Sequence, residues 1–125
     1  MTGFKTGQEL KKLIANSLAV VVPSLWYENA PFSVYEPMAL GKAVIGSDLG
    51  GIPELIESNQ TGLLFQAGNA DDLAEKIKTL VNNTTLEEKM GRQAREVAHE
   101  KFSSGEHLKK LLAIYQKLIK ENEKV

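Results

Sequence analysis

Two carboxylates, Glu28 and Glu36, stand eight positions apart in the stretch WYENAPFSVYE, and they carry the most distinctive chemistry of the sequence. An ionised carboxylate only accepts hydrogen bonds, so such a pair suits the gripping of sugar or ribose hydroxyls. Upstream, Ala19, Val20, Val21 and Val22 form a short apolar, largely β-branched run that stops at Pro23-Ser24, the pattern of a buried parallel strand. Glu28 is therefore expected just past the carboxyl end of a strand. Beyond it, Asn29-Ala30-Pro31 reads as a turn, and Ser33 precedes Val34, Tyr35, Met38 and Leu40, a helical spacing closed by Gly41. A helix start presents N–H groups without intrahelical acceptors at the positive end of a dipole, so the segment from Phe32 to Tyr35 is a seat for phosphate or sugar oxygens. Pro31 has no N–H to add.

The same residues admit two other readings. Ser33-x-x-Glu36 matches a capping box, in which Glu36 satisfies its own helix start, Pro37 sits harmlessly in the first turn and Glu28 is a solvated loop residue. The two glutamates also suit the acid and base of a glycoside hydrolase, although separation in sequence does not set separation in space. Gly50 and Gly51, beside Asp48, make a second candidate for a ligand cleft, because a glycine pair after a strand lets a ligand approach the backbone; the alternative is a plain turn. Glu54 reads as a helix-start residue. Trp26 and Tyr27 are placed to stack on a ring, but aromatics near a strand end are expected to be packed. His99 and His107 fall on the carboxyl-terminal helices, away from the motif, and neither is read as catalytic.

Taken as one ordered set, Pro23-Ser24, Glu28-x7-Glu36, Met38-Ala39-x-Gly41-Lys42-Ala43-Val44-Ile45 and Gly50-Gly51-Ile52-Pro53-Glu54 resemble the carboxyl-terminal domain of the group 1 glycosyltransferases, family 4. These are retaining enzymes of the GT-B fold that use nucleotide sugars. The resemblance runs from about Thr2-Gly3-Phe4 into the last helix. It implies that Glu28, the catalytic-site glutamate, faces the donor sugar and that Glu36 holds the ribose. It also implies that the backbone of Ala30, Phe32, Ser33 and Val34 contacts sugar hydroxyls and phosphate, with Gly50 and Gly51 beside them. The expected ligand is a UDP-, GDP- or ADP-sugar, with no metal and no cofactor.

The sequence departs from the family in two ways. Many relatives carry Gly-Phe-Gly after the first glutamate, whereas this chain has Asn29-Ala30-Pro31 before Phe32, which removes a donor and stiffens the loop. Family members also have an amino-terminal acceptor domain and a basic Arg/Lys pair for the diphosphate, and here no arginine precedes Arg92. Relatives continue a strand into Thr2-Gly3-Phe4, so Met1 is expected to be an engineered or misassigned start. The expectation is a fragment, inactive alone, of a glycosyltransferase. The alternatives are a non-catalytic Rossmann-like module that folds by oligomerising, or one subunit of a split enzyme.

The elements that position these residues read as βα units. A helix from Gly7 to Ser17 leads to the strand Ala19 to Val22. Lys42 to Gly46 and Thr61 to Phe65 are further strands, separated by a helical turn from Pro53 to Glu57, and together these imply a short parallel sheet of about three strands. Three helices follow: Asp71 to Asn82, Leu86 to Lys101 opened by Thr85-x-x-Glu88, and about Glu106 to Lys120. The expected class is α/β, a Rossmann-like half of a GT-B carboxyl-terminal domain, with residues 1–125 as one partial domain and 104–125 as its terminal helix. The polar tail from Glu121 to Val125 is expected to fray.

With 125 residues the chain is long enough for one core, and a net charge of −1 gives no electrostatic reason to expect nucleic acid. No apolar run reaches the ~20 residues of a membrane span, and no signal-peptide pattern opens the chain. Cysteine is absent, which excludes disulfides and thiolate metal sites; the location is expected to be cytoplasmic. On the last helix, Leu108, Leu111, Leu112, Tyr115, Leu118 and Ile119 form a broad apolar stripe. The stripe either folds back on the chain's own sheet or, with the open edge of the first strand, drives association into a homo-oligomer or against an amino-terminal domain.

Overall fold

The computed structural model describes residues 1–122. Its elements are α1 (Gly7–Ala15), β1 (Ala19–Val22), α2 (Phe32–Ala39), β2 (Ala43–Ser47), α3 (Ile52–Leu55), β3 (Gly62–Phe65), α4 (Ala70–Val81), α5 (Thr84–Lys101) and α6 (Ser104–Asn122). The strands form one parallel sheet in the order β1-β2-β3, with Val21 beside Ile45 and Ile45 beside Leu63. The chain is thus α/β, with a three-stranded parallel sheet flanked by helices and a long terminal helix.

Every residue of the central strand β2 is buried, because helices cover both faces of the sheet. On one face Val22 and Val44 pack with Val34 and Met38 of α2, Ile52 and Leu55 of α3, and Ala94 and Ala98 of α5. On the other, Ala43, Ile45, Leu63 and Phe65 pack with Leu80 of α4 and Met90 of α5. This alternation of side chains along β2 is what a strand buried on both faces requires. One glycine contact fixes how α5 meets α2. Gly41 ends α2 with φ +74°, and a Cβ built on Gly91 would lie 2.2 Å from the Gly41 carbonyl oxygen, so α5 must carry glycine there.

The structure moves several expected boundaries, each for a local reason. β2 starts at Ala43 because the Lys42 N–H is taken by the Pro37 carbonyl at 2.9 Å, closing the end of α2. Thr61 belongs to a turn, since its hydroxyl accepts the Glu57 N–H and its own N–H returns to the Glu57 carbonyl. Thr85-x-x-Glu88 is not the start of α5. Asn83 is the cap, accepting the Leu86 N–H at 3.0 Å, as Asn69 accepts the Asp72 N–H to open α4. α6 begins at Ser104, two residues before the expected Glu106.

The apolar stripe of α6 does not fold back on the sheet. Leu108, Leu112, Tyr115, Leu118 and Ile119 are all about half exposed or more, because α2, α3, α4 and α5 already occupy both faces. β1 lies at the edge of the sheet with no strand on its outer side among the described residues. The expected fraying from Glu121 lies largely outside the described residues. No helix among them is long and apolar enough to cross a membrane.

Candidate functional site

The site is built from two loops that leave the carboxyl ends of adjacent parallel strands, the place where open α/β sheets bind ligands. The first loop leaves β1 at Pro23 and carries Glu28. The Ser24 hydroxyl donates to Glu28 Oε1 at 2.8 Å, and the Glu28 N–H closes a tight turn on the Trp26 carbonyl at 2.9 Å, so both carboxylate and backbone are held from within the loop. Ser24 stands in the ordered motif only as the end of the Pro23-Ser24 step, with no side-chain role assigned to it there. Its signal is only a hydroxyl four positions before the glutamate.

The second loop leaves β2 and carries Gly50 and Gly51. The Gly51 N–H donates to the Glu28 carbonyl at 2.6 Å. A Cβ on Gly50, whose φ is +61°, would lie 2.7 Å from the Glu28 carbonyl oxygen, and one on Gly51 would lie 1.8 Å from the Asn29 carbonyl oxygen. The space a side chain would need is therefore filled by the first loop. The glycine pair lets the two loops close on each other and starts α3, in whose first turn Glu54 lies.

α2 begins at Phe32, with Pro31 in extended conformation as its cap and no side-chain capping bond. Ser33 is inside the first turn and exposed, so Ser33-x-x-Glu36 is not a capping box. Glu36, half buried on α2, is left without that structural task. The Val34 N–H is used by the Pro31 carbonyl at 3.0 Å, and the Val34 side chain is fully buried. The N–H groups of Phe32 and Ser33 have no protein acceptor among the described residues. Ala30 is exposed on the loop just before them.

Two expectations are corrected. Trp26 and Tyr27 are not packed; they are 80% and 85% exposed, because their loop leaves the edge strand and no described element lies over it. His107 is not remote from the motif helix, since it lines a cavity that Phe32 also lines. His99 is exposed on α5.

A sequence model of the family described as Glycosyl transferases group 1 matches residues 1–97. The chain belongs to this family. It is 33% identical over 96 residues to N-acetyl-alpha-D-glucosaminyl L-malate synthase of Bacillus anthracis, a match covering 77% of this chain and 25% of the synthase. A crystal structure of a glycosyltransferase from Rickettsia africae is similar with a TM-score of 0.84 and 29% identity, over 94% of this chain and 31% of that one. The Anabaena protein HepE, crystallised with UDP-glucose, shares the fold with a TM-score of 0.71 and 24% identity, over 91% of this chain and 29% of its own. The group 1 glycosyl transferase chain described here thus spans about a quarter to a third of the length of these relatives.

Proposed function

We propose that this chain forms part of the donor-binding lobe of a glycosyltransferase that moves a sugar from a nucleotide sugar to an acceptor with retention of configuration. The observation that carries the reading is the Gly51 N–H to Glu28 carbonyl bond, which joins the two strand-end loops beside the start of α2. Glu28, oriented by Ser24, faces the sugar; Glu36 holds the ribose; the N–H groups of Phe32 and Ser33, with the exposed backbone at Ala30, meet sugar or phosphate oxygens. Val34 contributes by anchoring α2 in the core, and Gly50 and Gly51 contribute by fixing the Glu28 loop.

Sugar transfer builds negative charge on the departing diphosphate, and fixed N–H donors aimed at that charge lower the barrier. The start of α2 supplies a share of these donors. With no arginine before Arg92 and no described element over the Glu28 loop, this chain by itself supplies half a site and no useful turnover. Residues 1–125 act as one partial domain in the cytoplasm, and the remaining contacts come from an amino-terminal domain or a partner chain.

The test is an amide NMR titration with UDP-, GDP- and ADP-sugars. Saturable shifts confined to Glu28 through Glu36 and Gly50-Gly51, with α4 unmoved, support the reading and name the nucleotide. The absence of shifts at about 1 mM donor, a binding free energy near −4 kcal/mol, rejects it.

One pair of observations favours a second reading, a non-catalytic module that assembles with itself. These are the open edge of β1 and the exposed stripe of α6. A homo-oligomer that binds no nucleotide sugar would establish it. Co-purification with a longer partner that restores donor cleavage would instead establish a split enzyme.

A further inference from the structure

A cavity of about 370 Å³ lies between α2, the end of α5 and the start of α6. Its wall is a short aromatic ladder. Phe32 meets Tyr35 edge to face with centroids 6.4 Å apart, and Tyr35 meets Phe102 in the same manner at 5.1 Å. Lys101, His107 and Lys110 complete the lining, and no aspartate or glutamate is among the lining residues. Lys101 is partly neutralised by its ion pair with Glu57, whereas Lys110 feels the Glu106 carboxylate one turn earlier on α6 but leaves the direct ion pair with it to Lys109. The volume falls within the range of about 300–1,000 Å³ usual for small-molecule sites.

We infer that this cavity binds a small ligand that carries a flat apolar ring beside an anionic group. The ring packs on the aromatic ladder, where edge-to-face contacts favour a planar partner over an aliphatic one. The anion meets Lys110 and His107 on α6, with Lys101 opposite on α5. Ring and charge recognise the ligand together, because a lysine at a surface holds an anion only weakly by itself. Phe32 and Tyr35 fall in both regions, but neither Glu28 nor Glu36 lines the cavity, so the inference does not rest on the donor-site reading, and shifts at Phe102, His107 and Lys110, outside the donor loops, tell the two apart.

The probes are phenyl phosphate, phenol and inorganic phosphate, each titrated into the full chain and followed by amide NMR. Phenyl phosphate is expected to give saturating shifts at Phe32, Tyr35, Phe102, His107 and Lys110, with phenol and inorganic phosphate at least about tenfold weaker. Lys110→Glu, at an exposed position, should weaken phenyl phosphate at least about fivefold while leaving the circular dichroism spectrum unchanged. The inference is overturned if phenyl phosphate fails to saturate by about 10 mM, if inorganic phosphate binds as tightly, if the shifts spread over lysines outside the cavity, or if Lys110→Glu binds like the parent.

Discussion

A Cβ on Gly51 would stand 1.8 Å from the carbonyl oxygen of Asn29, although the two are 22 positions apart in the chain. The Glu28 loop and the glycine loop are thus in backbone contact, and only glycine at position 51 permits it. Gly51→Ala should cost at least about 1–3 kcal/mol, as overpacking against rigid backbone does, and should separate the loops. Urea unfolding checks the first part. Loss of donor-sugar shifts at Glu28 checks the second.

Gly91 gives a test in which the sign is informative. Within a helix, glycine to alanine is normally stabilising by about 1 kcal/mol. Here the new methyl would meet the Gly41 carbonyl at 2.2 Å, so Gly91→Ala is expected to destabilise by about 1–3 kcal/mol instead. A raised unfolding midpoint would show that the α2–α5 approach is looser than described.

Glu36 separates a helix cap from a ligand contact. Because α2 has no side-chain capping bond, Glu36→Ala should change stability by less than about 0.5 kcal/mol, while weakening nucleotide-sugar binding several-fold. Were the residue a cap, stability would fall by about 0.5–2 kcal/mol and binding would follow only through unfolding. Chemical denaturation and donor titration on the same variant distinguish the two.

Ser24→Ala removes the donor that holds the Glu28 carboxylate. The net cost to stability is expected to be about 0.5–1.5 kcal/mol, the usual worth of one hydrogen bond. Shifts from the sugar should weaken while those from the ribose at Glu36 persist. An equal loss at both glutamates would mean that Ser24 supports the whole loop.

The α6 stripe predicts self-association. Leu112→Lys with Ile119→Lys places two charges on a face whose residues are about half exposed, and should convert an oligomer to monomer at unchanged helicity. Sedimentation velocity reads the mass. A parent chain that is already monomeric at high concentration would refute the prediction.

How much of this was legible depended on whether the deciding interaction was local. β1 was readable to the residue, since a β-branched run ending at Pro23-Ser24 needs no partner to be recognised. The Lys42 boundary failed although its signal was present: Gly41 with positive φ closes α2 in a Schellman ending, which takes the Lys42 N–H to the Pro37 carbonyl and so holds Lys42 at the end of the helix. Ser33 misled because Pro31, which fixes an extended residue without offering a side-chain acceptor, took the cap position first. The packing partner of Gly51 and the nearness of His107 to Phe32 were not legible, since each joins segments far apart in sequence. Trp26 and Tyr27 were misjudged for the opposite reason: the sequence does not show that nothing lies over their loop.

α2 has eight residues, a rod of about 12 Å, and both of its ends are committed. Phe32 at one end opens the helix at the loop of Glu28, and Gly41 just past the other touches Gly91 of α5. A rod this short has no room to absorb a change at either end by bending. Substitutions in the Glu28 loop should therefore be accompanied, as such chains diverge, by substitutions around Gly41 and Gly91, so that residues at the far end of the helix carry a record of changes made in the loop.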